Sequence, residues 1–194
     1  MDSTNNTWSW AIGVLVVVVL GLGVWWWMSA QPASPTTPNT TGTSETSGPG
    51  KVEVETSSSN VASVIASISN GGTFYSLLSG TVGTSSLAGK GPYTVFVSTD
   101  GAFSRLAPGT ISSMSAAERK RTVQYHIVSG KRIDVDAVNS GQITALSKDM
   151  LNFQVDAAKG AVYVNSGYVL HAYKATNGMV YVINSVLLPP KVTP

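Results

Sequence analysis

The chain has 194 residues, no cysteine and a formal net charge of +2 at pH 7. The absence of cysteine excludes disulfides, thiol nucleophiles and thiolate metal ligands, and the modest charge gives no indication of a nucleic-acid partner. The length suits one domain with appended segments, because compact domains commonly contain about 100 to 150 residues.

Near the N-terminus, Trp8 to Met28 form an apolar stretch without a charged residue. At helical rise this stretch extends roughly 31 Å, which matches the hydrocarbon core of a bilayer. Tryptophans lie at both of its ends, where indole rings prefer the membrane interface. We predict a short tail over 1–7 and a transmembrane helix, an uncleaved signal anchor, over 8–28. A cleavable signal peptide is the alternative, but the stretch is long and no basic residue precedes it.

The next segment, residues 29–59, is rich in Ser, Thr and Pro. Such a composition cannot bury enough apolar surface to fold, so we predict a disordered linker. As a flexible coil it would reach roughly 30 Å and hold a following domain clear of the lipid headgroups. The first basic residue is Lys51, so charge does not determine which side of the membrane that domain occupies.

From Asn60 the pattern changes to that of a folded domain. Apolar residues at helical spacing predict two amphipathic helices, over 61–68 and 73–80, joined by a turn at Asn70-Gly71-Gly72. A short β-rich run, Tyr93 to Val97, follows them.

Two further helices are predicted from their capping residues. Ser98-Thr99-Asp100 offers oxygen acceptors to a short helix that carries Phe103 and Leu106. Ser115 and Glu118 have the spacing of a capping box, which predicts a helix that ends near His126.

The last third of the chain alternates between apolar and polar residues as strands do. Turn pairs at Lys159-Gly160 and Asn177-Gly178 separate these runs and predict an antiparallel sheet. Helices gathered early and strands gathered late indicate an α+β fold. The predicted strands are Leu151 to Val155, Ala161 to Val164, Tyr168 to Ala172 and Met179 to Leu188.

Three stretches, in order and spacing, resemble the conserved blocks of the fasciclin (FAS1) domain. The resemblance covers 60–190, leaves 191–194 as a C-terminal tail, and implies a wedge of antiparallel strands packed with several helices. Three residues depart from the family pattern: Ser98 replaces the usual proline, Tyr181 a frequent histidine and Asn184 a common aspartate. The stretches are Tyr93-Thr-Val-Phe-Val-Ser-Thr-Asp-Gly-Ala-Phe103, Tyr125-His126-Ile-Val-Ser-Gly130 and Asn177-Gly-Met-Val-Tyr-Val-Ile-Asn-Ser-Val-Leu-Leu-Pro-Pro190.

The resemblance implies a non-enzymatic, extracytoplasmic module, here on a single-pass membrane protein, that mediates cell adhesion or contacts a surface or envelope protein or polysaccharide. In animal members the region around the Tyr-His motif is implicated in integrin binding, so Tyr125, His126 and Ile127 are the implied binding residues. The alternative for His126 is structural, because an imidazole at a helix end can bond a backbone carbonyl and close the core.

A second candidate site is a basic patch for anionic polymers or lipid headgroups. The alternative is the solvated face of an amphipathic helix, which commonly carries such charges. The patch consists of Arg119, Lys120, Arg121, Lys131 and Arg132.

Signals for catalysis and metal binding are weak. No Gly-x-Ser-x-Gly elbow is present, and His126 and His171 lack the spacing of a zinc site. Asp134 and Asp136 begin like a calcium loop but lack its glycine and terminal glutamate. We therefore predict no catalytic residue, metal or cofactor. The alternative function is an envelope-bound enzyme or enzyme accessory acting on polysaccharide or lipid, which a deep cleft with clustered titratable groups would indicate.

Overall fold

The computed structural model describes residues 49–134 and 140–190. The predicted transmembrane helix over 8–28, most of the predicted linker and the tail over 191–194 lie outside these ranges. Within them, no helix has the length and apolar character needed to cross a bilayer.

The described residues form an α+β domain with a mixed sheet, as the helix and strand signals predicted in outline. The helices are α1 (Val61–Ser67), α2 (Gly72–Thr81), α3 (Asp100–Ser104) and α4 (Ala116–Tyr125), with a 3-10 helix (Thr84–Leu87) after α2. The strands are β1 (Glu53–Thr56), β2 (Tyr93–Ser98), β3 (Ile127–Ser129), β4 (Gly141–Thr144), β5 (Met150–Asp156), β6 (Ala161–Val164), β7 (Gly167–Ala175) and β8 (Gly178–Ile183).

Side-chain caps begin three of these helices, because the first backbone N–H groups of a helix need acceptors. Asn60 accepts a hydrogen bond from the backbone of α1, and Thr99 does so for α3. The predicted capping box is confirmed, since Ser115 and Glu118 each accept a hydrogen bond from the other's backbone N–H. Leu106 lies beyond α3, which ends at Ser104.

Within residues 49–134 and 140–190 the sheet has eight strands, in the order β3-β2-β8-β7-β6-β5-β4, with β1 paired to β7 outside this path. The predicted antiparallel pairing of the last strands is confirmed, because β5, β6, β7 and β8 pair antiparallel in that order. The sheet as a whole is mixed rather than antiparallel, because β2 runs parallel to β8 and β1 runs parallel to β7. The two-residue turn between Ala175 and Gly178 fixes the direction of β8, which then lies between β7 and β2. Alternation along the sequence predicts strands but not the direction in which distant strands pair.

The folded part begins before the predicted boundary at Asn60. Val52 is buried, and β1 pairs with residues 171–174 of β7. All four side chains of β1 are exposed, so the strand has no apolar residue facing the core and resembles the polar linker before it.

The hydrophobic core consists of two clusters on opposite faces of the sheet. Along β2, Phe96 belongs to the first cluster, and its neighbours Val95 and Val97 belong to the second, as the alternation of side chains along a strand requires. The second cluster lies between the sheet and helices α1, α2 and α4, with Phe74 of α2 and Val180 of β8 among its members.

Two sections of the sheet therefore differ in burial. Every residue of β8 is buried. Strand β5 instead alternates between buried residues such as Leu151 and Phe153 and exposed residues such as Asn152 and Gln154. We call β2, β8 and residues 169–175 of β7 the covered section, and β4, β5, β6 and residues 167–168 of β7 the open section.

Candidate functional site

The Tyr-His motif lies at the junction of α4 and β3, in the interior. Tyr125, His126 and Ile127 are 3%, 1% and 0% exposed. None of the three side chains presents a surface to a partner, so the geometry supports the structural alternative for this motif rather than direct contact.

His126 connects three parts of the domain through its ring. The backbone N–H of Leu187 donates to Nε2 at 3.1 Å, so Nε2 is unprotonated. Nδ1 then carries the proton and donates to the Thr122 carbonyl at 2.8 Å. Ser98 Oγ lies 3.0 Å from Nε2 and donates to the Ser185 carbonyl at 2.9 Å. The ring thus joins the end of α4 to the segment after β8 through hydrogen bonds, and it lies against Ser98 of β2.

Burial lowers the pKa of His126 to about 4, against the smaller raising effect of the Thr122 carbonyl. The Phe74 ring lies 5.1 Å from the imidazole ring, centroid to centroid. The histidine is therefore neutral near neutral pH, and its environment is partly aromatic.

A serine within reach of a histidine is also the starting point of nucleophilic catalysis. Here Ser98 is fully buried, and the group on the far side of the imidazole is a backbone carbonyl rather than a carboxylate. The pair has neither the access nor the third member of a hydrolytic triad. In the part of the chain that the structure describes, no group of three His, Asp or Glu side chains could hold a metal ion.

Tyr125 has a second connecting role. Its hydroxyl donates to the Met150 carbonyl at 2.8 Å and accepts from Asn165 Nδ2 at 2.9 Å. Asn165 also pairs through backbone and side chain with Asn152. One phenol therefore joins α4 to β5 and to the turn between β6 and β7.

The predicted basic residues have separate roles. Arg121 forms a two-pronged ion pair with Asp149, with distances of 3.1 Å from Nε and 2.7 Å from the terminal nitrogen. The hydrogen bonds raise the pKa of Arg121 and lower the pKa of Asp149.

The other four members of the predicted patch differ from one another as well. Arg132 lies 3.4 Å from Asp134, and Arg119 donates to the Met114 carbonyl at 3.0 Å. Lys120 and Lys131 are exposed. Because two of the five cations have carboxylate partners, the patch offers less free positive charge than the sequence suggests.

A different surface, which the sequence did not predict, lies on the exposed face of the open section. Strand register places Gln142 beside Asn152, Gln154 beside Tyr163 and Tyr163 beside Tyr168. Gln142 Nε2 donates to Asn152 Oδ1 at 2.8 Å. The two tyrosine rings meet edge to face at 6.4 Å and 67°. We call these five residues the amide–tyrosine face.

One sequence feature could have indicated part of this face. It is the alternation from Leu151 to Val155, which directs Asn152 and Gln154 away from the core. Its other members come from three different strands. They join it only through the strand register, which the sequence pattern does not give.

Comparison with known proteins gives a consistent result. The Fasciclin domain family model matches residues 69–189. Protein sll1483 of Synechocystis sp. is 39% identical over 109 residues, which are 54% of this chain and 59% of that protein. Human stabilin-1 is 33% identical over 108 residues, 54% of this chain and 4% of that much longer protein.

Among solved structures, the FAS1 domain pair of the insect cell adhesion molecule fasciclin I matches with a TM-score of 0.56 and 18% identity. The match covers 67% of this chain and 51% of that structure. This likeness concerns the fold. The chain spans 59% of the length of the Synechocystis relative, so the similarity concerns the domain and not that whole protein.

Proposed function

The chain belongs to the fasciclin domain family, and we propose that it is a membrane-tethered, extracytoplasmic binding module that mediates cell adhesion or contacts surface proteins or polysaccharides, without catalysis. The observation that carries the proposal is the family match over 69–189. The likeness in fold to an insect cell adhesion molecule supports it.

The predicted segments before the domain suit this role. Residues 8–28 would anchor the chain in the bilayer of the cell membrane, and the polar segment that follows would hold the domain away from lipid. Many copies tethered to one surface raise the effective concentration of weak sites, so an adhesion domain does not need a deep pocket.

The interior of the domain supports a binding role over an enzymatic one. The Ser98 and His126 side chains lie within hydrogen-bond distance, yet both are buried and both have backbone partners. They hold α4, β2 and the C-terminal segment together, which is a packing role.

Protease accessibility on intact cells tests the tether and its orientation. Cells that express the full chain are treated with an external protease, and the release of a fragment containing the folded domain is measured. We expect release, because a Ser/Thr/Pro-rich linker is easily cleaved. A cytoplasmic reporter in the same cells controls for lysis. Cleavage only after lysis contradicts the extracytoplasmic location.

A cell-clustering assay tests adhesion separately. Cells displaying the full chain are compared with cells displaying a chain that lacks residues 60–190. We expect the full chain to increase clustering of the cells, or their attachment to an envelope preparation. Equal clustering and attachment by both chains contradicts the adhesion function.

A further inference from the structure

We infer that the amide–tyrosine face is the ligand-binding surface of this domain and that its ligand is an uncharged polysaccharide. The inference rests on the binding function proposed above and names the ligand class. The face consists of Gln142, Asn152, Gln154, Tyr163 and Tyr168, from four adjacent strands.

The face is accessible and continuous. Gln142, Asn152 and Gln154 are exposed, and the two tyrosines are half-buried, so each ring is supported by the sheet and still offers part of its surface. Four strands at about 4.8 Å spacing extend roughly 14 Å, which is long enough for a short run of linked sugar rings.

The charge of the face selects against ionic ligands. Residues 60–194 contain 11 Lys and Arg against 6 Asp and Glu, an excess of five positive charges. None of the five residue types on the face is charged at neutral pH, and Asp156, the next outward residue of β5 after Gln154, is ion-paired with Lys159 at 3.4 Å. An anionic polymer would therefore be drawn to other parts of the domain, whereas an uncharged ligand loses nothing by binding here.

The chemistry of the side chains matches that of a sugar. A pyranose ring has C–H groups on its faces, which pack on aromatic rings, and hydroxyls on its rim, which pair with groups that both donate and accept hydrogen bonds. Carboxamides do both. Gln142 and Asn152 are held in place by their mutual hydrogen bond, while Gln154 makes no hydrogen bond through its side chain to any described residue and lies directly beside Tyr163.

A protein partner would suit this face less well. Protein interfaces usually have an apolar centre and a polar rim. On this face the polar side chains are central, and the exposed apolar residue Met150 lies at the end of β5.

The test is retention of the full chain, in detergent, on four insoluble polymers: a neutral glucan, a neutral mannan, a neutral galactan and, as a control, an acidic polygalacturonan. We expect retention on at least one neutral polymer, with little dependence on salt because no ionic contact is involved. Retention on the acidic polymer alone, or on none, overturns the inference.

Two variants of the face and two controls locate the binding surface. Gln154→Ala removes an exposed amide, and Tyr163→Leu removes a ring; each should weaken binding roughly three- to tenfold. Tyr163→Phe keeps the ring and should remain within about twofold of the original chain. Tyr75→Leu changes a tyrosine on α2 that is more exposed than Tyr163 and should have no effect.

Binding that persists in Gln154→Ala and Tyr163→Leu overturns the inference. If these variants instead abolish capture of a surface protein and leave the polysaccharides unbound, the face is a protein-binding site and the inference is wrong. The clustering assay distinguishes either failure from a failure of the proposed function, because adhesion by the full chain would remain.

Discussion

Strands β8 and β5 belong to the same sheet but are stabilised differently. Strand β8 is buried at all six positions, with one cluster of the core on each of its faces. Strand β5 is packed on one face only. Residues on both faces of β8 are constrained by packing, whereas the outward residues of β5 are free to take whatever chemistry a ligand requires.

The strongest test of this difference places the same residue on both strands. Val180→Ser puts a hydroxyl into the cluster beneath the helices and should lower the free energy of unfolding by about 4 kcal/mol. Gln154→Ser, on the open face, should change it by less than about 0.5 kcal/mol. Urea unfolding followed by circular dichroism measures both.

Circular dichroism suits this measurement because all five tryptophans lie between Trp8 and Trp27, so their fluorescence does not report on the domain. If Val180→Ser and Gln154→Ser lower the free energy of unfolding by similar amounts, the open face is as tightly packed as β8.

The second prediction concerns acid. The folded-state pKa of His126, about 4, lies below its ordinary value of 6.5. Between these values the unfolded chain binds a proton that the folded chain does not, so stability falls as the pH falls. The expected loss from pH 6.5 to pH 4 is about 3 kcal/mol from this group.

The control for the acid prediction is His126→Gln, which keeps the carboxylates whose pKa values are lowered, such as Asp100 and Asp149. The variant should lose less stability over the same pH interval. NMR can follow the titration of the His126 imidazole in the folded protein. Titration of that ring near pH 6.5 would disprove its buried, neutral state.

The smallest expected effect tests the link between α4 and the open section. Tyr125→Phe removes the hydroxyl that bonds the Met150 carbonyl and the Asn165 amide. It should cost about 1 kcal/mol, and amide hydrogen exchange should accelerate mainly in β5 and β6. Acceleration spread evenly over the whole sheet would show that the hydroxyl does not specifically hold the open section.

Much of the local structure could be predicted from the sequence because caps and periodicity act over a few residues. Ser115 and Glu118 begin α4 as expected, and the turn at Asn70-Gly71-Gly72 joins α1 to α2. Pairing between distant strands could not be predicted, since the four exposed residues of β1 pair with a strand more than a hundred residues later in the chain.

The candidate sites, too, could be predicted from the sequence only where the pattern is local. Tyr125 and His126 were recognisable as a motif, but only the folded chain shows that both are buried. The sequence places Arg121 in a basic patch, whereas in the folded chain its guanidinium pairs with Asp149. Gln142 and Tyr168 have no sequence signal that links them, because two intervening strands bring them onto one face.

The parallel pairing of β1 with β7 has a mechanical consequence. Among the described residues, β1 is the first helix or strand after the proposed tether, and it lies at the edge of the sheet with four residues paired. A force pulling on the tether would load this short strand before any other element. Detachment of β1 would withdraw Val52 from the first cluster and lengthen the tether by several residues, while the other members of both clusters stayed packed. Strand β1 could therefore yield under load before the rest of the domain unfolds.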